Sequence, residues 1–418
     1  MDETDLLEAA HRQLQANRQS GVSPWNGQPY SFVCPSVKTY PFQWFWDSCF
    51  HAVVWSHLDP AQAREELRTL LRAQRADGFI PHRIAWQGRI AFPYRFYLHS
   101  NSPLRPWRSE LIQPAVLAIA LEAVHARSGD AAFLTEVLPG VERYYRWLAE
   151  NRDPDGDNLI SIIHPYESGL DHKPAYDVLF RPLSQAGPPG VRMALRGIDV
   201  VNRMCRYNLR LIFNLDRFNV EDVLVNCVYA QGLASLSRLL RQQGDDAKAE
   251  SYARWAERVE QAILTKCREP DGLFYDLYSR RERKAKTKTV TCLFPLILDS
   301  IDRQTAERLV KEHLLNEAEF WLPYPLPTVS RDEPAFNPSF RSPAQSGLWR
   351  GPTWVCINWF LVRGLRKHGF EDVATHIVAK TKELVLQHGF REFYNPLTGE
   401  PHGAEGFAWS TLVVDMLV

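Results

Sequence analysis

Residues 46–75 read Trp46-Asp47-Ser48-Cys49-Phe50-His51-Ala52-Val53-Val54-Trp55-Ser56-His57-Leu58-Asp59-Pro60-Ala61-Gln62-Ala63-Arg64-Glu65-Glu66-Leu67-Arg68-Thr69-Leu70-Leu71-Arg72-Ala73-Gln74-Arg75. Helical periodicity runs on both sides of Asp59, so this stretch is two helices, 46–58 and 60–75, with almost nothing between them. Asp59 is placed to cap the second. Pro60 falls in its first turn, where a missing N–H costs nothing. The helical reading recurs near 4–19, 108–127, 130–152, 195–212, 219–243, 245–267, 290–299, 302–315, 350–369, 371–388 and 407–418. Asn219 precedes Val220-Glu221-Asp222, an acidic first turn that suits the helix dipole. Longer loops rich in Pro, Gly and aromatics occupy 20–45, 76–107, 153–194 and 316–349. Loops this long inside a compact chain are usually functional. Several follow a helix pair, which is the layout expected if paired helices form a ring and the loops gather at one end. No low-complexity segment or Ser/Gly linker divides the chain, so residues 1–418 read as one domain.

Composition narrows the function. Formal charge is zero, with 49 basic and 49 acidic residues. That argues against nucleic acid or an anionic membrane as the main partner, since both need a basic excess. No run approaches the roughly 18 apolar residues of a membrane span. The seven cysteines show no CxxC and no regular spacing, and read as free thiols in a reducing compartment. The acidic start, Met1-Asp2-Glu3-Thr4-Asp5, is unlike a signal peptide. A cytoplasmic protein is expected. The 13 tryptophans suit either an aromatic core or a cleft for carbohydrate, because indole rings stack on the apolar faces of sugars.

Two segments offer acid/base chemistry. One is Glu167-Ser168-Gly169-Leu170-Asp171, the other Arg391-Glu392-Phe393-Tyr394. Two carboxylates in different environments are what cleavage of a glycosidic bond requires. Glu167 and Asp171 are both available as acids. Asp171 lies among Leu170, Pro174 and Tyr176, which could desolvate it and raise its pKa. Arg391 beside Glu392 would help keep a base ionised. Around them stand Trp44 and Trp46, at the start of a helix, with Asp47 able either to cap that helix or to hold two sugar hydroxyls. His82 in Asp77-Gly78-Phe79-Ile80-Pro81-His82 is expected to bond a backbone group. Gln113, before Pro114, could point into a cavity or be an ordinary solvated side chain. Asp153-Pro154-Asp155-Gly156-Asp157-Asn158 has the composition of a calcium loop but lacks its closing Glu, and reads as a turn. The basic run 280–286 reads as a solvated loop. No metal or nucleotide motif is present, and no cofactor is expected.

Taken in order, QWFWDS, DGFIPH, the Gln-Pro pair, HPYESGLD, WRGPTW, EFYNPLTG and GFAWST resemble glycoside hydrolase family 63 and, more distantly, the family 37 trehalases. The resemblance covers nearly the whole chain. It implies an all-α (α/α)6 toroid with its active site at the loop-bearing end, and inverting hydrolysis of α-glycosides without a metal. It implies Asp171 as general acid, Glu392 as general base, and Trp44, Trp46, Asp47, Gln113 and Trp354 around the attacked sugar. The compact length is most similar to the bacterial mannosylglycerate and glucosylglycerate hydrolases, in which a Tyr matching Tyr40 helps grip the glycerate. Three positions depart from the pattern: His172-Lys173 replaces Asn-Ser, Cys356 replaces Asn, and Asn395 replaces an acid. Lys173 could meet a glycerate carboxylate but is expected to face solvent, and Arg203 and Arg206 are the other candidates for that carboxylate. Trehalose-like disaccharides, a sugar epimerase or a non-catalytic sugar-binding protein remain alternatives on the same fold. A ring of helices exposes enough outer surface for a homo-oligomer, though nothing in the sequence specifies one.

Overall fold

The computed structural model describes residues 3–88, 99–100, 107–339 and 348–418. Parts of the expected 76–107 and 316–349 loops therefore lie outside the described residues. The chain is mostly helical. Six apolar segments pack in a closed circuit: α2 (Phe45–Leu58) on α4 (Leu117–Ser128), α4 on α8 (Val223–Gln242), α8 on the 3-10 segment Val290–Ile297, that segment on α11 (Val355–Lys367), α11 on the 3-10 segment Ala408–Leu412, and this last back on α2. Each has an outer neighbour. α3 (Pro60–Arg72) lies on α2, α5 (Ala131–Arg152) on α4, α9 (Asp246–Ala262) on α8 and α12 (Glu371–His388) on α11. Leu309–Leu314, a π-helical continuation of α10 (Arg303–Arg308), lies on Val290–Ile297, and α1 (Glu3–Asn17) on Ala408–Leu412.

Sequence explains which helices lie inside. A helix apolar on every side can be stable only if it is enclosed. In α8, 17 of 20 residues are buried, and in α2, 12 of 14. The outer α9 buries 5 of 17 and α12 buries 6 of 18, each along one stripe. By length and composition α8 could cross a membrane, but its apolar surface is already spent on the core of this protein. One buried cluster runs from Leu6 to Met416, touching every inner segment.

The inner helices point the same way. Trp46, at the start of α2, takes a backbone hydrogen bond to Gln113, just ahead of α4, and its ring meets Trp409. Trp354, just ahead of α11, meets Trp409 too. At the other end His57 of α2, Arg127 of α4 and Arg363 of α11 gather on Asp415. Basic side chains there face the negative ends of the helix dipoles.

Several boundaries differ from the sequence reading. Asp59 caps α3 as expected, accepting from the amides of Ala61 and Gln62. Helix α1 stops at Asn17 and becomes β1 (Arg18–Val22), paired with β2 (Pro29–Val33). The 108–127 helix begins only at Leu117, because Pro114 disfavours helical backbone before it. The 195–212 segment is two helices, α6 (Pro188–Met204) and α7 (Leu209–Leu215). Asn219 does not open α8. Val220–Glu221 form β5, in a sheet with β6 (Leu277–Tyr278) and β7 (Arg283–Lys284), and Asp222 is the cap. The remaining sheets are β3 (Gln43–Trp44) with β4 (Arg83–Ile84), antiparallel but separated by α2 and α3, and the hairpin of β8 (Arg391–Tyr394) with β9 (Pro401–Glu405). An all-α reading missed these pieces, since strands of two to five residues carry too little period to detect.

Candidate active site

Glu392 sits on β8 where the register slips between Arg391 and Phe393. A bulge gives one strand an extra residue and re-aims its side chain. Here the extra residue is on β9, where Gly403 and Ala404 together face Glu392, which is 5 % exposed. Its Oε2 accepts from the Ala404 amide at 2.8 Å and its Oε1 from the Tyr40 hydroxyl at 3.0 Å. Burial lifts its pKa to about 7, and the two hydrogen bonds hold it from rising further. Gly403, within the bulge, makes room. Its φ is +71°, and a Cβ there would stand 2.5 Å from Glu392 Oε2. Gly403→Ala is therefore expected to displace the carboxylate and lower kcat about 100-fold, with circular dichroism unchanged. Near-normal steady-state kinetics would show that the position of Glu392 does not matter.

Asp171 lies in the turn after the 3-10 segment Pro165–Ser168. Gly169 (φ +76°) reverses the chain there, and a Cβ on it would strike the Trp46 ring at 2.5 Å. Burial raises the Asp171 pKa well above the usual carboxylate range, and the Glu392 and Asp47 charges raise it more. Asp47 is 3 % exposed and pushed up to about 8 by burial, with the Glu392 charge adding to the rise. The structure thus brings Asp47, Asp171 and Glu392 into one electrostatic cluster. Asp47 is not the cap of α2. Trp44 holds that position and makes no side-chain capping bond.

Aromatic rings wall the cluster. Trp44 stands edge-on to Tyr40 and to His82. Trp354 is sandwiched between Trp349, at 3.5 Å, and Phe393, at 4.5 Å. The indole N–H groups of Trp44, Trp354 and Trp409 are buried without a hydrogen-bond partner. A buried donor left unpaired costs about 1–3 kcal/mol. Trp349 and Trp409 were legible only as parts of the WRGPTW and GFAWST motifs. Their contact with Trp354 and Trp46 is tertiary.

Other sequence candidates fall differently. Glu167 is fully buried and paired bidentately with Arg152 at 2.8 and 2.6 Å, while accepting from the amides of Ile112 and Ile163. It is a structural anchor. The His82 ring meets the Ser109 hydroxyl rather than a backbone group. Lys173 does not face solvent: it is 1 % exposed and ion-paired with Asp222 and Asp276. Arg203 is half-buried and Arg206 exposed, at the end of α6. The cations felt beside Asp171 are Arg350 and Arg192. After burial, their charges help lower the pKa of His172 to about 4.

Two clusters have metal-ligand composition. Asp199 Oδ1 lies 2.8 Å from His99 Nε2 and 3.3 Å from His164 Nε2. His164 Nδ1, however, accepts from the Tyr166 amide. The proton of the neutral ring is then on Nε2, so it presents a hydrogen and not a lone pair to Asp199. This is a hydrogen-bonded cluster. In the 153–158 turn, Asp153 accepts from the amides of Gly156, Asp157 and Asn158, as a turn requires.

Comparison with known proteins agrees with this geometry. A mannosylglycerate hydrolase of Thermus thermophilus is 30% identical over 91% of this chain and 95% of its own. A glucosylglycerate hydrolase of Mycolicibacterium hassiacum is 27% identical over 90% of this chain and 91% of its own. The crystal structure of a glycoside hydrolase family 63 mannosylglycerate hydrolase from T. thermophilus, in complex with Tris and D-glycerate, superposes with a TM-score of 0.85 at 28% identity, covering 99% of both chains. A yeast neutral trehalase shares the fold at a TM-score of 0.58 and 14% identity, over 97% of this chain and 78% of its own. The protein is a glycoside hydrolase. Residues 40–410 match the model of the mannosylglycerate hydrolase MGH1-like glycoside hydrolase domain, and the chain belongs to that family.

Proposed function

We propose that this chain is a single-domain (α/α)6 toroid that hydrolyses a small α-glycoside of glycerate with inversion at the anomeric carbon. The closed circuit of six inner segments with outer partners supports the toroid. The free state of all seven cysteines suits a cytoplasmic enzyme. The names of the relatives suggest mannosylglycerate or glucosylglycerate as the substrate.

The observation that carries the mechanism is a pair of buried carboxyl groups, each with its pKa raised by burial, in one electrostatic cluster. Asp171, held protonated by burial, gives its proton to the glycosidic oxygen. Glu392, whose pKa of about 7 leaves a large ionised fraction at neutral pH, removes a proton from the attacking water. The carbon passes through an oxocarbenium-like state and its configuration inverts. Asp47, Gln113, Trp44, Trp46 and Trp354 hold the sugar under attack, and Tyr40, hydrogen-bonded to Glu392, helps grip the glycerate.

The test is proton NMR of the purified protein with α-mannosylglycerate, α-glucosylglycerate, trehalose and a panel of α-glucobioses. Initial release of a β-hexose from a glycerate glycoside is expected. An α-hexose appearing first would refute inversion, and cleavage of the neutral disaccharides alone would refute the glycerate substrate.

The pH profile follows from the same groups. Activity requires Glu392 ionised, so kcat/KM should fall as pH drops through about 7. It should fall again as pH rises and Asp171, its pKa raised by burial, loses its proton. The Tyr40 hydroxyl favours the charged form of Glu392, so Tyr40→Phe should move the acid limb upward by about one pH unit. A limb that stays in place would mean that Glu392 does not control it.

A further inference from the structure

The turn carrying Asp171 is fastened on both sides. Ahead of it, Glu167 is locked to Arg152. Behind it, Lys173 runs inward and is fully enclosed. Its backbone closes the turn, its amide donating to Leu170 O at 2.9 Å and its carbonyl accepting from Tyr176. Its ammonium meets Asp222, Asp276 at 2.7 Å and Thr291 at 3.4 Å. Neither carboxylate is free to move. Asp222 caps α8 through the Val225 amide and accepts from the Tyr176 hydroxyl at 2.5 Å, while Asp276 accepts from the Val223 amide at 2.9 Å. An extended chain advances at most about 3.3–3.6 Å per residue, so two residues separate Asp171 from an anchor set in the rim of an inner helix.

We propose that Lys173 is a positioning residue for Asp171: through Asp222 and Asp276 it ties the acid-bearing turn to the start of α8 and so fixes where the proton is delivered. The proposal rests on Asp171 being the general acid. It concerns a position at which this chain departs from the family pattern, where the turn must be held by some other contact.

Leaving-group dependence separates positioning from mere stability. A glycerate glycoside needs a proton as its C–O bond breaks. An α-glycosyl fluoride does not, because fluoride leaves unprotonated, with the hydroxyl of water entering and its proton passing to the base. In Lys173→Met, kcat on the glycerate glycoside is expected to fall about 100-fold, the scale of a 1 Å misplacement, while kcat on the fluoride of the same sugar changes little. Lys173→Arg, which keeps the charge, should recover most of the loss. Should Lys173→Met fail to fold, Lys173→Met/Asp222→Asn/Asp276→Asn removes the stranded carboxylates and is assayed in its place. Equal losses on both substrates, or no loss, would overturn the proposal. Asp171→Asn run alongside discriminates the levels. If it spares the fluoride and the Lys173 variants do not, the positioning role alone fails. If it spares neither, the reading of Asp171 as acid fails and takes this inference with it.

Discussion

Asp171→Asn is expected to lower kcat on a glycerate glycoside about 100- to 10,000-fold, the range general acid catalysis contributes, while leaving substrate affinity nearly intact. The reasoning is differential. In the proposed mechanism Asp171 acts only by giving up a proton as the bond breaks, and an amide of the same shape cannot. The groups proposed to hold the sugar, Trp44, Trp46, Asp47, Gln113 and Trp354, are untouched. Calorimetric titration should therefore find binding within a few-fold of wild type, and kcat and kcat/KM should fall together. Replacing Asp171 also removes a carboxyl whose pKa the Glu392 charge raises, so the fold should not suffer. Near-normal turnover would dismiss Asp171. Glu167 would then be tested by Glu167→Gln, although its place in an ion pair makes it a poor proton donor.

Arg152→Met should be the most damaging change to stability outside the carboxylate cluster. Arg152 and Glu167 are both fully buried, and both Glu167 oxygens are bound by the guanidinium. Taking away one partner of such a pair costs about 3–5 kcal/mol, because the other charge is stranded. Stranded here, Glu167 would still be held by the amides of Ile112 and Ile163. Urea unfolding should show a midpoint shift of that size, and Arg152→Met/Glu167→Gln should regain part of it. If the single variant unfolds like wild type, the pair contributes nothing net. The pH sign can be checked in parallel. Glu66, lifted to about 8 by burial, favours the fold while protonated, and its contribution is lost as pH rises through that value.

Much of the helical frame was legible because it depends on local pattern. Asp59 and Pro60 mark a helix start by chemistry that acts over three residues. The bounds Glu371–His388 coincide with the expected 371–388 because Gly389 stops the helix where its periodicity ends. The two carboxylates were legible as residues but not as a site. Nothing local says that β9 bulges opposite Glu392, since the bulge depends on pairing with β8 and on the space left by Gly403. Lys173 was misread for a related reason. Lysine is ordinarily exposed, and the two aspartates that make burial tolerable lie 49 and 103 positions further along the chain. Trp349 and Trp409 likewise gain their meaning from rings contributed by other helices.

Closure of the inner circuit has a consequence for biosynthesis. The last inner segment, Ala408–Leu412, packs against α2, and Tyr40 reaches Glu392 across 352 positions of sequence. Contacts this distant in the chain form late. On the ribosome, α2 is made early, with an apolar surface whose final cover has not yet been translated. The nascent chain must shelter that surface by other means, in provisional packing or under a chaperone. Catalytic competence then waits on the segment 408–412, which seats between α11 and α2 and brings Trp409 against Trp46.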